Sequence, residues 1–333
     1  MVSWAVRPII ELVPDTPVAI RVTRRALRAA TDIWCRPHPA AVIVPVRAET
    51  PHGVEVRGEW VVLPDRAPDG RPPGEPDLTA GAVLYVHGSG YAVASARTHR
   101  AITSRLAVRT ARPVFACDYR LAPAHRFPAA ADDVAAAFDW LVAQGVDATR
   151  VVVAGDSAGG QLGLALAAER SSRGEGPAGV LLLSPLVDVT LSHAQRWESA
   201  GRRDPLVSVA RVRRLLALYL EGADPSSPAL RLAGDALRTL PPLQVHVSAT
   251  ELLSDDSRHL VRSVVAAGGR AELLEWPGQM HVFQALAGFV PEATRSLRAA
   301  AAFVRARLDD THVPSPTPTP TATPTPTPTG GRP

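Results

Sequence analysis

Near the middle of the chain an apolar run, Arg150 to Ala154, passes without a spacer into Gly155-Asp156-Ser157-Ala158-Gly159-Gly160 and then into a helix-forming segment ending at Arg170. A strand that reverses this tightly into a helix brings backbone against backbone. The flanking positions must therefore be small, and the residue at the apex is pushed out at the strand end. The pattern is G-x-S-x-G in the strand-turn-helix context that gives it meaning, and it predicts an exposed serine hydroxyl at Ser157.

The rest of the chain supplies matching elements. Strand and helix patterns alternate through Val114 to Cys117, Ala129 to Ala143, Val151 to Ala154, Ala158 to Arg170 and Val180 to Leu183. They resume with Leu243 to Val247, Asp256 to Ala267, Ala271 to Trp276 and Pro291 to Leu308. Continuous apolar strands alternating with long helices imply a mostly parallel sheet covered on both faces. Upstream, Val54 to Leu63 and Ala82 to His87 read as strands on either side of an exposed hairpin loop, Pro64 to Thr79. Val18 to Trp34 reads as an amphipathic helix that packs on its own protein. The helical, Arg-rich stretch from Asp188 to Leu237 interrupts the alternation and reads as an insertion over the carboxyl end of the sheet. The final Thr-Pro repeat cannot build a core and reads as a disordered tail.

A serine hydroxyl is a poor nucleophile at neutral pH, so a base is required, and strand order places it late in the chain. His281 follows an apolar strand and precedes the last helix. The imidazole needs a carboxylate to hold its tautomer, expected in the loop after Leu243 to Val247. Glu251 comes first there and Asp255 is the alternative, while Asp256 suits a helix N-terminus. Amide donors for an oxyanion are expected from Ser89 and Gly90, in His87-Gly88-Ser89-Gly90-Tyr91, and from Ala158 after the serine. Two other patterns carry no chemistry. Gly174 to Gly179 satisfies G-x-G-x-x-G but follows a helix and precedes a strand, the reverse of a dinucleotide site. Asp204-Pro205 reads as a helix start with Asp204 as its cap.

Composition enters through what it excludes. All 36 cationic side chains are Arg. Without lysine there is no Walker-type phosphate lysine, no pyridoxal Schiff base and no Ser-Lys dyad. The net charge of +4 is spread among 32 acidic residues without a basic run, which argues against nucleic acid. Cys35 and Cys117 form neither a disulfide framework nor a zinc spacing, and no metal or cofactor is implied. The N-terminus lacks the apolar core of a secretory signal, and nothing else offers the ~20 apolar residues of a span. A cytoplasmic protein without stable membrane insertion is expected.

Taken together, His87-Gly88-Ser89-Gly90, Asp118-Tyr119-Arg120-Leu121-Ala122-Pro123, Gly155 to Gly160 and Pro277 to Phe283 resemble the hormone-sensitive-lipase-like carboxylesterases of the α/β-hydrolase superfamily. The resemblance spans about residues 5 to 310. It implies an α/β-hydrolase fold: a mostly parallel eight-stranded sheet flanked by helices, with a helical cap. It divides the chain into an N-terminal cap segment (1–45), core (46–187), cap insertion (188–237), core (238–310) and tail (311–333). It also places Glu251 on the family's catalytic acid and Asp255 on a second, structural acid. The sequence departs from the family's H-G-G-G at Ser89, where a backbone N–H still serves if the dihedrals suit a residue with a Cβ.

The expected activity is hydrolysis of a short- to medium-chain, small-molecule carboxylic ester through an acyl-enzyme, with a homodimer as the assembly in view. Two other readings use the same residues: an N-acyl or acetyl hydrolase of a small molecule, and a catalytically silent binding protein of this fold.

Overall fold

The computed structural model describes residues 7, 11, 14–64, 74–224, 227, 229–232 and 234–309. The Thr-Pro stretch and most of the first 13 residues lie outside them. Helix α1 (Pro17–Trp34) leads into an antiparallel pair, β1 (Val42–Glu49) and β2 (Glu55–Val62), and then β3 (Ala82–Val86). Alternation follows with α2 (Arg100–Thr110), β4 (Val114–Cys117), α3 (Ala129–Ala143), β5 (Val151–Asp156), α4 (Ser157–Ser172) and β6 (Gly179–Leu183). Three helices, α5 (Ser192–Ser199), α6 (Val209–Leu220) and α7 (Asp235–Thr239), separate β6 from β7 (Leu243–Ser248). The chain then runs through α8 (Ser254–Ala266), β8 (Ala271–Trp276) and α9 (Pro291–Asp309).

The eight strands form one sheet in the order β1-β2-β4-β3-β5-β6-β7-β8, and only β2 runs against the rest. The expected mostly parallel eight-stranded sheet is present. The central strands β3, β4 and β6 are apolar throughout because both faces are covered. Leu84, Val86, Val151 and Val153 point into a core shared with Phe138, Leu141 and Leu162 of α3 and α4. Their neighbours Val83, Tyr85, Val152 and Ala154 point the other way, against Ile102, Leu106, Leu297 and Val304 of α2 and α9. Each such side chain contributes about 1.5–3 kcal/mol on burial, which holds the central strands in a single register.

Three expectations need correction. Strands β2 and β3 are not hairpin partners, because β2 pairs with β4 and β3 lies on the far side of β4; residues 65–73 of the expected hairpin loop lie outside the described residues. Strand β1 and helix α2 are additional elements whose patterns are weaker: β1 carries Pro45 and an edge strand's half-buried alternation. Asp204-Pro205 does not start a helix. Helix α6 begins at Val209 with Ser208 as its cap, its hydroxyl accepting from Arg211 N at 3.1 Å.

The segments before β1 and between β6 and β7 touch. Asp15, just ahead of α1, pairs with Arg211 at 2.6 Å and Arg214 at 3.1 Å on α6. Arg24 of α1 donates to the carbonyls of Ala92 and Ala122, both at 2.8 Å, so α1 also holds the loop beyond β3. Among the described residues no helix is long and apolar enough to cross a membrane.

Candidate active site

In a parallel sheet every strand delivers its following loop to the same edge, so residues far apart in sequence meet at the carboxyl ends. His87 follows β3, Ser157 follows β5, Ser184 follows β6, Glu251 follows β7 and His281 follows β8.

Ser157 has φ +49°, the left-handed turn expected of a strained elbow, and is partly exposed among buried neighbours. The turn is possible only because its flanks lack side chains. A Cβ on Gly155 would stand 2.6 Å from Gly159 O, and one on Gly159 would stand 2.1 Å from Val86 O. The elbow therefore lies backbone to backbone against the end of β3. Two residues further, a Cβ on Gly88 would come within 2.9 Å of Ser157 Cβ, so the loop holding Ser89 and Gly90 borders the serine directly. Ser89, Gly90 and Tyr91 all have positive φ, at +72°, +62° and +60°. Three successive left-handed residues fold this segment into a curl, and Leu215 of α6 packs on Gly90 from above. Ala158 is the second residue of α4, directly after Ser157 and buried in the first helical turn, where backbone amides lack intrahelical acceptors.

Glu251 is fully buried and faces His281, with Oε1 3.6 Å from Nδ1. This is an ion-pair separation slightly longer than a hydrogen bond. Its other oxygen accepts from Ser184 Oγ at 2.9 Å. Burial pushes the Glu251 carboxyl up, outweighing the pull of His281 and Ser184 in the other direction. For His281 burial acts downward, yet the facing Glu251, with Asp204 and Asp156 behind it, holds the imidazole above its ordinary value. Asp255 is not brought to His281; it pairs with Arg258 at 2.6 Å on α8. Asp256 sits in the first turn of α8, as its sequence position suggests, and burial raises it to about 7.

Sequence reasoning missed three supporting groups. Ser184, at φ +49° after β6, also accepts from Val282 N at 3.2 Å, so one hydroxyl joins the acid loop to the histidine loop. Asp204 is buried against the acid loop, with Oδ2 accepting from Leu252 N at 2.7 Å. Behind the elbow, Asp156 accepts from Tyr85 OH at 2.8 Å and lies 3.2 Å from His99 Nε2. A polar residue just past an apolar strand was the available signal for Ser184. His99 and Asp204 carried none, because only the folded chain brings them to this edge. Among the described residues no group of three or more His, Cys, Asp or Glu side chains is arranged to hold a metal.

A family model described as alpha/beta hydrolase fold matches residues 83–285, which run from β3 past His281. The chain belongs to that family. Within it this hydrolase is 38% identical over 226 residues to an acetyl-hydrolase of Streptomyces hygroscopicus, covering 67% of this chain and 75% of that protein. It is 31% identical over 291 residues to an esterase of Acinetobacter venetianus, covering 86% of this chain and 91% of that one. A crystal structure of an esterase from the bacterial hormone-sensitive lipase family superposes with a TM-score of 0.78 at 32% identity, over 92% of this chain and 97% of that one. This hydrolase falls in the hormone-sensitive-lipase-like branch, as its motifs suggested.

Proposed function

We propose that this hydrolase is a serine carboxylesterase that cleaves short- to medium-chain carboxylic esters through an acyl-enzyme. The observation that carries the reading is the convergence of Ser157, on its left-handed elbow, the curled Ser89-Gly90 loop beside it and the Glu251-His281 pair at one edge of the sheet. Ser157 Oγ attacks the ester carbonyl while His281 takes its proton. The oxyanion forms against the amides of Ser89, Gly90 and Ala158, and His281 returns the proton to the departing alcohol. Water then repeats the sequence on the acyl-enzyme. Glu251 holds the imidazole tautomer and stabilises the imidazolium; the 3.6 Å gap closes as that charge forms.

Leu215 roofing Gly90 supports a small acyl pocket, in keeping with relatives named for acetyl and ester hydrolysis. The test is hydrolysis of p-nitrophenyl acetate through palmitate by wild type, Ser157→Ala and Glu251→Gln. Activity should peak at short chains. Ser157→Ala should lower kcat by a factor on the order of 10⁴ or more with the fold intact, and Glu251→Gln by a smaller factor. Undiminished hydrolysis by Ser157→Ala contradicts the proposal. Faster cleavage of p-nitroacetanilide than of the acetate ester replaces it with the N-acyl reading.

A further inference from the structure

Asp204 belongs to the segment between β6 and β7, on the approach to α6, yet its carboxylate is buried at the acid loop with 1% of its surface exposed. Its two oxygens face opposite ways. Oδ1 accepts from Leu206 N at 2.6 Å and Val207 N at 3.0 Å, closing a turn within its own segment. Oδ2 accepts from Leu252 N at 2.7 Å, the amide directly after Glu251. Its main-chain carbonyl accepts from Arg7 Nη1 at 2.6 Å. One residue therefore ties together three stretches of chain, its partners lying 48 residues ahead and 197 residues behind.

A carboxylate is what this position requires. Three N–H donors converge on the two oxygens, and asparagine offers one acceptor oxygen and an NH₂ that would face an amide N–H. A buried carboxylate is costly unless its lone pairs are used, and here both oxygens are engaged. Capping does not explain it, because α6 is capped by Ser208.

We infer that Asp204 is a positioning residue: it clamps the acid loop to the segment arching over the sheet edge, so that Glu251 is held at His281 only while that segment is docked. The inference rests on the catalytic reading proposed above. Glu251 is then gripped from two sides, by Ser184 at its carboxylate and by Asp204 through the adjoining amide. Loss of the second grip lets the loop drift, and misplacement by about 1 Å at a reacting group costs up to about a hundredfold in rate. The clamp also acts through charge. The carboxylates facing His281 are Glu251, Asp204 and Asp156, all favouring the imidazolium, and Asp204 likewise bears on Glu251.

The experiment compares full-length wild type, Asp204→Asn and Ser157→Ala by amide hydrogen exchange and by rates on p-nitrophenyl acetate, with pH profiles for the first two. In Asp204→Asn the Leu252 amide should exchange about tenfold faster while Val245 and Val247 of β7 are unchanged, the mark of a local opening. The rate constant kcat should fall about tenfold with KM within about twofold. The acid limb of kcat/KM should move to lower pH, because one carboxylate facing His281 has become neutral. Wild-type exchange at Leu252, or an unmoved acid limb, overturns the inference even if kcat falls. If Asp204→Asn does not fold, the wild-type Leu252 amide decides: protection comparable to β7 supports the clamp, and exchange at the rate of an open loop overturns it. Ser157→Ala separates the two claims, since full activity there removes the catalytic reading whatever Leu252 does.

Discussion

Ser89 stands at φ +72°, in backbone space where glycine is at ease and a residue with a Cβ is strained. That dihedral suits the glycine which the H-G-G-G motif has at this position, and serine here keeps the amide in place at a local cost. Ser89→Gly should therefore stabilise the protein, by roughly 0.5–1 kcal/mol after allowing for the freer unfolded chain, and leave ester turnover within about twofold of wild type. A urea titration and a p-nitrophenyl acetate assay decide it, and destabilisation would mean that the serine side chain contributes more than the strain removes. Ser157 also has positive φ, but its hydroxyl is the proposed nucleophile, so the same substitution there has no such use.

At the scale of elements, α1 is an unusual packing unit. Ile20 is its one buried side chain, while Val18, Val22, Ile33 and Trp34 are each more than half exposed. The expectation of a helix laid on its own protein holds, but the contact is narrow. Asp32 accepts two hydrogen bonds from Arg97 at 3.0 Å, and the guanidinium of Arg24 bonds the Ala92 and Ala122 carbonyls next to the curled loop of Ser89 to Tyr91. Helix α1 thus supports the Ser89–Tyr91 loop from outside the sheet. Arg24→Ala should lower kcat/KM by roughly threefold to tenfold and cost about 1–3 kcal/mol, the usual effect of leaving buried acceptors unpaired. Steady-state kinetics with a thermal melt check both, and unchanged kinetics with lowered stability would show that α1 anchors the fold without bearing on the loop. The arginine periodicity of this helix was visible in the sequence. Which arginine turns inward was not, because that depends on carbonyls about 70 and 100 residues away.

Over the whole molecule, stability against acid is set partly by histidines that the reaction does not use. His246 in β7 is fully buried, and its Nε2–H donates to Gln244 Oε1 at 2.9 Å while Nδ1 accepts from Ser296 Oγ at 2.8 Å. Gln244 in turn donates to Glu272 Oε2 at 2.8 Å, and Gln284 donates to Ser296 at 3.1 Å, so one polar chain joins β8, β7, α9 and the turn after His281. Burial holds His246 and His87 down to about 3, from an ordinary 6.5. Between those values the unfolded chain binds the extra protons, so stability is retained near neutrality and lost as pH falls through that window. His99 and His281 are held upward by carboxylates and act in the opposite sense, contributing stability at low pH that fades as pH rises through their folded values. Urea midpoints at successive pH values from 7 to 4 should decline. His246→Gln should flatten the decline, and an equally steep slope in the variant would show that His246 is not a source of it.

Local patterning determined much of this protein. Continuous apolar strands, helical periodicity and a strand-turn-helix with small flanking residues depend on neighbours within a few positions, so the parallel sheet and the elbow at Ser157 could be read from the chain alone. Strand β1 escaped because an edge strand with a proline lacks the apolar run of a buried one. Pairing across the sheet is also out of reach of local pattern: the strands that became β2 and β3 read as a hairpin, but β4 lies between them. Only the tertiary structure set Glu251 rather than Asp255 against His281, placed Ser184 between their loops and turned Asp204 from an expected helix cap into a ligand of Leu252 N. These contacts join stretches of chain between 30 and 100 residues apart, and their geometry follows from how the loops stack over the sheet edge. No local preference of the residues themselves specifies that stacking.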